Sequence, residues 1–238
     1  MIASAVVLAA VATMVALALW QLRRLDQVRS ANDRVRARLS MATAPLDVVL
    51  PAGGAADAAT YRRVEVSGRY DPTEEVQVDN RSDRGRAGKH LLTPLVTASG
   101  RAVLVDRGWI TLDTDRAAAE VRPPSEQVRV VGVLFPGERK GVLGPSLPPE
   151  GHLSSVPRID VARLAKQLPY TSVPLYLRLE SQAPSQASAL PKPPGLPPLD
   201  DGPHLSYAVQ WFLFATVAIS VFGALIRREG RRRLQLEG

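Results

Sequence analysis

The sequence predicts a membrane-anchored α+β protein: two transmembrane helices, an N- and C-terminal hairpin, flank a mainly antiparallel β domain with one short helix. Three observations predict it. Residues 1–22 carry no charge, and neither does the 22-residue stretch 205–226. At 1.5 Å per residue each covers roughly 33 Å, enough for the hydrocarbon core of a bilayer. Between them, short segments alternate apolar and polar residues with the period of two that marks a half-buried strand.

Taken in order, residues 1–22 are the first span. Its apolar run is long for a signal peptide and no basic residue precedes it. Ala5, Ala9, Ala12 and Ala16 form a small-residue stripe at helical spacing, and Ala208, Ala215 and Ala218 offer an opposing one. Residues 23–60 read as an Arg-rich juxtamembrane segment and loop. Residues 61–180 are the β domain, 181–203 a Pro-rich linker with seven of the chain's 20 prolines, 204–226 the second span, and 227–238 a basic tail. Within the domain, 63–67 and 75–79 read as a hairpin about Asp71-Pro72. A second hairpin joins 91–96 to 102–105 through Ser99-Gly100, and 128–135 and 173–179 are further strands. The single convincing helix is 160–167, with Asp160 as N-cap and Pro169 past its end.

The chain carries 30 Lys and Arg against 23 Asp and Glu. Residues 23–38 hold six Arg and two Asp, a net +4; residues 227–238 hold five Arg and two Glu, a net +3. Together they equal the whole excess of +7, so the domain between is neutral and no nucleic-acid-binding face is implied. Arg227 to Arg233 argue for a cytoplasmic tail. The even number of spans then puts both termini inside and the β domain outside, although the Arg run after the first span pulls the other way. The absence of Cys excludes disulfides and thiolate metal sites. His90, His152 and His204 are far apart and make a poor zinc set. Neither a nucleophile elbow nor a phosphate loop occurs, so no catalytic residue and no metal site is assigned.

In this topology Trp20-Gln21, closing the first span, and Tyr207, Gln210 and Trp211, opening the second, share the outer interface. An aromatic belt accounts for the Trp and Tyr residues. The two Gln are less well explained by it; a polar pair there bonds across the hairpin or addresses a ligand. Asp106-Arg107-Gly108-Trp109 has two readings. Either Arg pairs a carboxylate while Trp covers the sheet, or Arg107 and Trp109 dock a partner.

Four strings occur in order: WQLRRLD after the first span, GRYDPTEEVQVDNR and GKHLLTPLVTASGRAVLVDRGW in the domain, and HLSYAVQWFLFA opening the second span. With the two spans around them they resemble the surfeit-locus family of cytochrome c oxidase assembly proteins, over nearly the whole chain. Residues 137–152 match nothing in it firmly, and Asp26-Gln27 stand where the family often has an aromatic and a Lys. The resemblance implies a non-enzymatic assembly factor in the plasma membrane. It would assist insertion of haem a into the large subunit of the haem-copper oxidase, next to the haem a synthesis machinery and within the lipid bilayer. It also implies a transient haem a site with His204 as candidate axial ligand, surrounded by Tyr207, Gln210, Trp211, Trp20 and Gln21. Imidazole suits that role. A membrane-bound enzyme of haem or quinone metabolism, and a structural subunit of a respiratory complex, are the alternative classes.

Overall fold

A computed structural model describes residues 2–114, 119–141, 144 and 146–236. They fall into two compact units, residues 37–197 and a second unit made of 1–36 with 198–238.

The second unit is a helical hairpin. Helix α1 spans Ile2–Leu39, its last three residues belonging to the other unit, and the C-terminal helix spans His204–Leu236. Both are long and apolar enough to cross a membrane. The first continues well past the last uncharged residue, Leu22, so the basic segment is helical where the sequence suggested a loop.

The covered side of α1 runs through Val7, Val11, Met14, Ala18, Gln21, Leu25 and Val28, alternating steps of three and four. On the C-terminal helix the same steps give His204, Ala208, Trp211, Ala215 and Ala218. This is the heptad spacing that keeps one seam of a helix facing a partner. Ala18, Leu25, Ala208 and Ala215 are its most buried members. The expected stripe of Ala5, Ala9, Ala12 and Ala16 lies outside the seam, exposed. It has the same alternating steps as the seam but is displaced from it by two residues, about 200° around the helix, which puts it on the far side. The expected Ala208, Ala215 and Ala218 face inward.

The unit of residues 37–197 is built on strands. In chain order these are β1 (Ala44–Pro45), β2 (Arg63–Tyr70), β3 (Val76–Asp83), β4 (Arg86–Thr97), β5 (Arg101–Thr111), β6 (Val128–Phe135), β7 (Ser155–Val156) and β8 (Thr171–Ala183). Short helices α2 (Leu46–Val49) and α3 (Ala56–Ala59) precede β2. Helix α4 (Val161–Ala165) starts as expected, with the Asp160 side chain accepting from Arg163 N–H. The C-terminal helix is α5.

Pairing is mostly antiparallel, with β5–β8, β1–β2 and β3–β7 parallel. Because β2 pairs both β6 and β4, the ring β2-β6-β8-β5-β4 closes into a five-stranded barrel, and closure removes the exposed edges of those strands. Alternation sorts the side chains. Val64, Val66, Val103, Val105, Val130, Leu134, Leu175 and Leu177 fill the interior. Leu92, Leu104, Val133, Phe135 and Tyr176 point outward, where β3, β7 and α4 cover them with Val76, Val156, Val161 and Leu164.

The hairpin expected of 63–67 with 75–79 does not form. A 3-10 turn at Pro72–Glu74, capped by the Asp71 carboxylate accepting from Thr73 N–H, redirects the chain. Strand β2 pairs β6 and β4 instead, and β3 pairs β4 through a turn at Arg84-Gly85 that polar composition concealed. The hairpin of 91–96 with 102–105 is present as β4–β5.

The Pro-rich stretch is not a free spacer along its whole length. Strand β8 runs on to Ala183, and residues 186–193 lie against the barrel. Lys192 forms an antiparallel bridge with Trp109, N–H to O at 2.8 and 2.9 Å. Gly108 makes room for it. Its φ is +126°, and a Cβ there would lie 1.9 Å from the Lys192 carbonyl oxygen. Gly108→Ala is therefore expected to detach this strap. Limited proteolysis of the variant should cut within 184–193 well before it cuts the parent.

Candidate functional site

Chemistry-bearing side chains gather in three places. The first is one end of the barrel. Leu91 pairs Gly108 while Leu92 pairs Asp106, so Arg107 is the extra residue of a β-bulge. Bulges re-aim side chains. Here Asp106 keeps to the outer face and Arg107 turns in behind Val105, 1% exposed. Its guanidinium donates to Glu75 Oε2 (2.9 Å), the Val121 carbonyl (2.6 Å) and Gln186 Oε1 (3.0 Å), and stands 5.6 Å over the Tyr70 ring. Thr93 donates its hydroxyl to the same Glu75 oxygen at 2.6 Å. Gln186 in turn donates to the carbonyls of Glu120 and Arg122. One buried cation thus ties the barrel end to the 119–125 loop and to the Pro-rich strap. Burial pulls the Arg107 pKa down, with Glu75 opposing. Burial pushes the Tyr70 phenol far up, with Arg107 opposing.

Trp109, 3% exposed, covers Gly88 on β4, and Arg86 lies 5.2 Å over its ring. The docking surface expected of Arg107 and Trp109 is therefore not what the fold builds. Both are inside, the first as the partner of a buried carboxylate and the second as the cover of a sheet. Glu75, Thr93, Tyr70 and Gln186 escaped the sequence reading because they come together only through barrel closure.

The second cluster is on the outer barrel face. His90 Nδ1 is 3.0 Å from the Asp106 carboxylate, and Arg178 Nε is 3.8 Å from it. Tyr176 lies near, its phenol pushed up to about 12 by burial. His90 is thus a buried hydrogen-bonding residue.

The third lies in the helical hairpin. His204 and Gln21 occupy facing seam positions, Nδ1 of the imidazole 2.9 Å from the Gln21 amide oxygen. With an oxygen opposite it, Nδ1 donates, which leaves Nε2 as the nitrogen with a free lone pair. Gly202, at φ +66°, lies beside the ring, and a Cβ there would stand at ordinary contact distance, 3.6 Å from Nε2. An imidazole oriented by an acceptor at one nitrogen is a usual arrangement of a metal-ligating histidine with its outer-shell partner. The residues present fit a single axial imidazole for haem iron. Of the other expected members, Trp211 sits two seam steps beyond His204, edge-on to Phe214 at 6.0 Å between centroids. Trp20 (56% exposed), Tyr207 (47%) and Gln210 lie on the outer flanks, away from the seam. Among the described residues no group of three or more His, Cys, Asp and Glu is placed to hold a metal ion.

Two membrane-grade helices that flank a small closed barrel in the sequence, with a polar histidine–glutamine rung in the hairpin, define a membrane-anchored β protein. Its sequence matches the SURF1 family model over residues 8–216, and the chain belongs to that family. It is 30% identical over 219 residues to an uncharacterised SURF1-like protein of Mycobacterium tuberculosis, covering 91% of this chain and 79% of that one. A SURF1-like protein of Rickettsia felis is 23% identical over 221 residues, 91% of this chain and 93% of its own. The cytochrome oxidase assembly protein SHY1 of Saccharomyces cerevisiae is 29% identical over 167 residues, 66% of this chain and 42% of its own.

Proposed function

We infer that this chain is a membrane assembly factor for the haem-copper cytochrome oxidase, acting at haem a delivery to the large catalytic subunit, and not an enzyme. Family membership and the name of the yeast relative support the oxidase role. The observation that carries the haem reading is the His204–Gln21 rung. Gln21 would fix the tautomer and His204 would hold the iron through Nε2. The bound group itself supplies the redox and oxygen chemistry of the oxidase that receives it.

The topology follows from charge. On α1, Arg29 pairs Asp201 at 2.9 Å, Arg36 pairs Asp33 at 2.8 Å and also donates to the Leu199 carbonyl. Counting Asp200 and Asp201 with the 23–38 segment lowers its excess from +4 to +2. The 227–238 segment keeps +3. The positive-inside preference then favours cytoplasmic termini and an extracytoplasmic barrel in the plasma membrane. A phosphatase reporter inserted at Gly195 should be active; a reporter active only in the cytoplasm, if active there, reverses the topology.

Purified after co-production with haem a synthesis, the protein should carry a Soret band. His204→Ala should abolish it, and Gln21→Leu should weaken haem affinity roughly 10–100-fold, the usual cost of losing an outer-shell partner. An unchanged spectrum in His204→Ala at normal protein level removes His204 as ligand.

A further inference from the structure

The C-terminal helix does not end where its apolar residues do. It continues unbroken from Ile226 through Arg227, Arg228, Arg231 and Arg232. At 100° per residue these four lie within an arc of roughly 140° on one side of the helix. All four are exposed. The apolar stretch of 22 residues fills the hydrocarbon core, and the headgroup layer beyond it is roughly 5–8 Å deep on each side. From Arg227 to Arg232 the helix rises roughly 8 Å. The four guanidinium groups are therefore stacked through the depth at which lipid phosphates lie.

Leu225, Ile226, Arg228, Glu229 and Arg232 also line a concavity of about 400 Å3. Leu225 and Ile226 are more than half exposed and sit at the bilayer edge. Arg228 and Arg232, one helical turn apart, stand above them. Glu229, which has interactions of its own within the chain, leaves the segment 227–232 at a net +3. We propose that this face is a binding site for the headgroup of an anionic phospholipid, the phosphate held between Arg228 and Arg232 and the upper acyl chain lying on Leu225 and Ile226. The inference rests on the second span crossing the bilayer. The physics is that of charge-assisted arginine–phosphate hydrogen bonds next to a surface that attracts basic segments. It gives the arginines a role after insertion, beyond orienting the helix during it.

The test uses the full chain in nanodiscs of phosphatidylcholine with a minority of phosphatidylglycerol, and counts by native mass spectrometry the lipids retained on the released protein. Retained lipid should be enriched in phosphatidylglycerol over the disc composition. Affinity should fall about fivefold for each arginine removed in Arg228→Gln and in the double variant Arg228→Gln/Arg232→Gln. Arg34→Gln on α1 should change nothing. Excess inorganic phosphate should not displace the lipid, because it cannot use Leu225 and Ile226; displacement identifies a free-anion site and overturns the proposal. Retained lipid of the same composition as the disc also overturns it. So do arginine substitutions that alter oxidase yield without altering lipid retention, which assign the face to a protein partner. A chain that leaves the discs empty contradicts the transmembrane reading itself, whereas one that enters them without lipid preference contradicts only this site.

Discussion

Arg107→Met will destabilise the β domain by about 3–5 kcal/mol, the cost of removing one partner of a buried ion pair. The loss comes from what remains. Glu75 stays buried without its cation, and the Val121 carbonyl and Gln186 side chain lose a donor. For a domain of this size that amounts to a fall in melting temperature of roughly 6–20 °C. Exchanging both partners, in Arg107→Met/Glu75→Met, should recover part of the loss, since no lone charge is then buried. Circular dichroism melts of the two variants check both points. An Arg107→Met variant that melts with the parent contradicts the assignment of Arg107 as a structural tie.

Trp109→Ala should cost a similar amount, about 3–5 kcal/mol, by emptying the space over Gly88. Backbone pairing to Lys192 does not need the indole and survives, so the strap should stay resistant to protease in the folded fraction while the whole domain melts earlier. Were Trp109 a partner-binding anchor, the variant would instead melt normally and lose oxidase co-purification. Its 3% exposure favours the first outcome.

These two residues mark where the sequence was legible and where it was not. Apolar alternation placed β6 at 128–135, and Asp160 and Pro169 bracketed α4 correctly, because those signals are local. The uncharged stretches located both long helices for the same reason. Pairing is a different matter. Strand β2 could have partnered β3 across a short turn, and its alternation is equally consistent with closing a barrel against β4 and β6. Strand content does not encode closure; the 3-10 turn at Pro72–Glu74 decides it. Arg107 was visible as a charged residue after a buried run, and alternation from Val103 and Val105 aims it inward, but the groups that satisfy it, Glu75, the Val121 carbonyl and Gln186, come from distant parts of the chain. In the hairpin, His204 and Gln21 were each singled out as polar residues at a span end. Their 2.9 Å contact depends on the heptad seam, which an alanine-rich composition hid behind a different small-residue stripe.

The central claim is oxidase assembly with a haem a step, and deletion of the gene tests it most directly. Oxidase recovered from the deletion strain should be reduced in amount, and its remaining large subunit should hold less haem a per polypeptide than the wild type. The parent gene should restore both, and His204→Ala should restore amount less completely than the parent does. Oxidase present at wild-type level with its full complement of haem a and copper in the deletion strain contradicts the account.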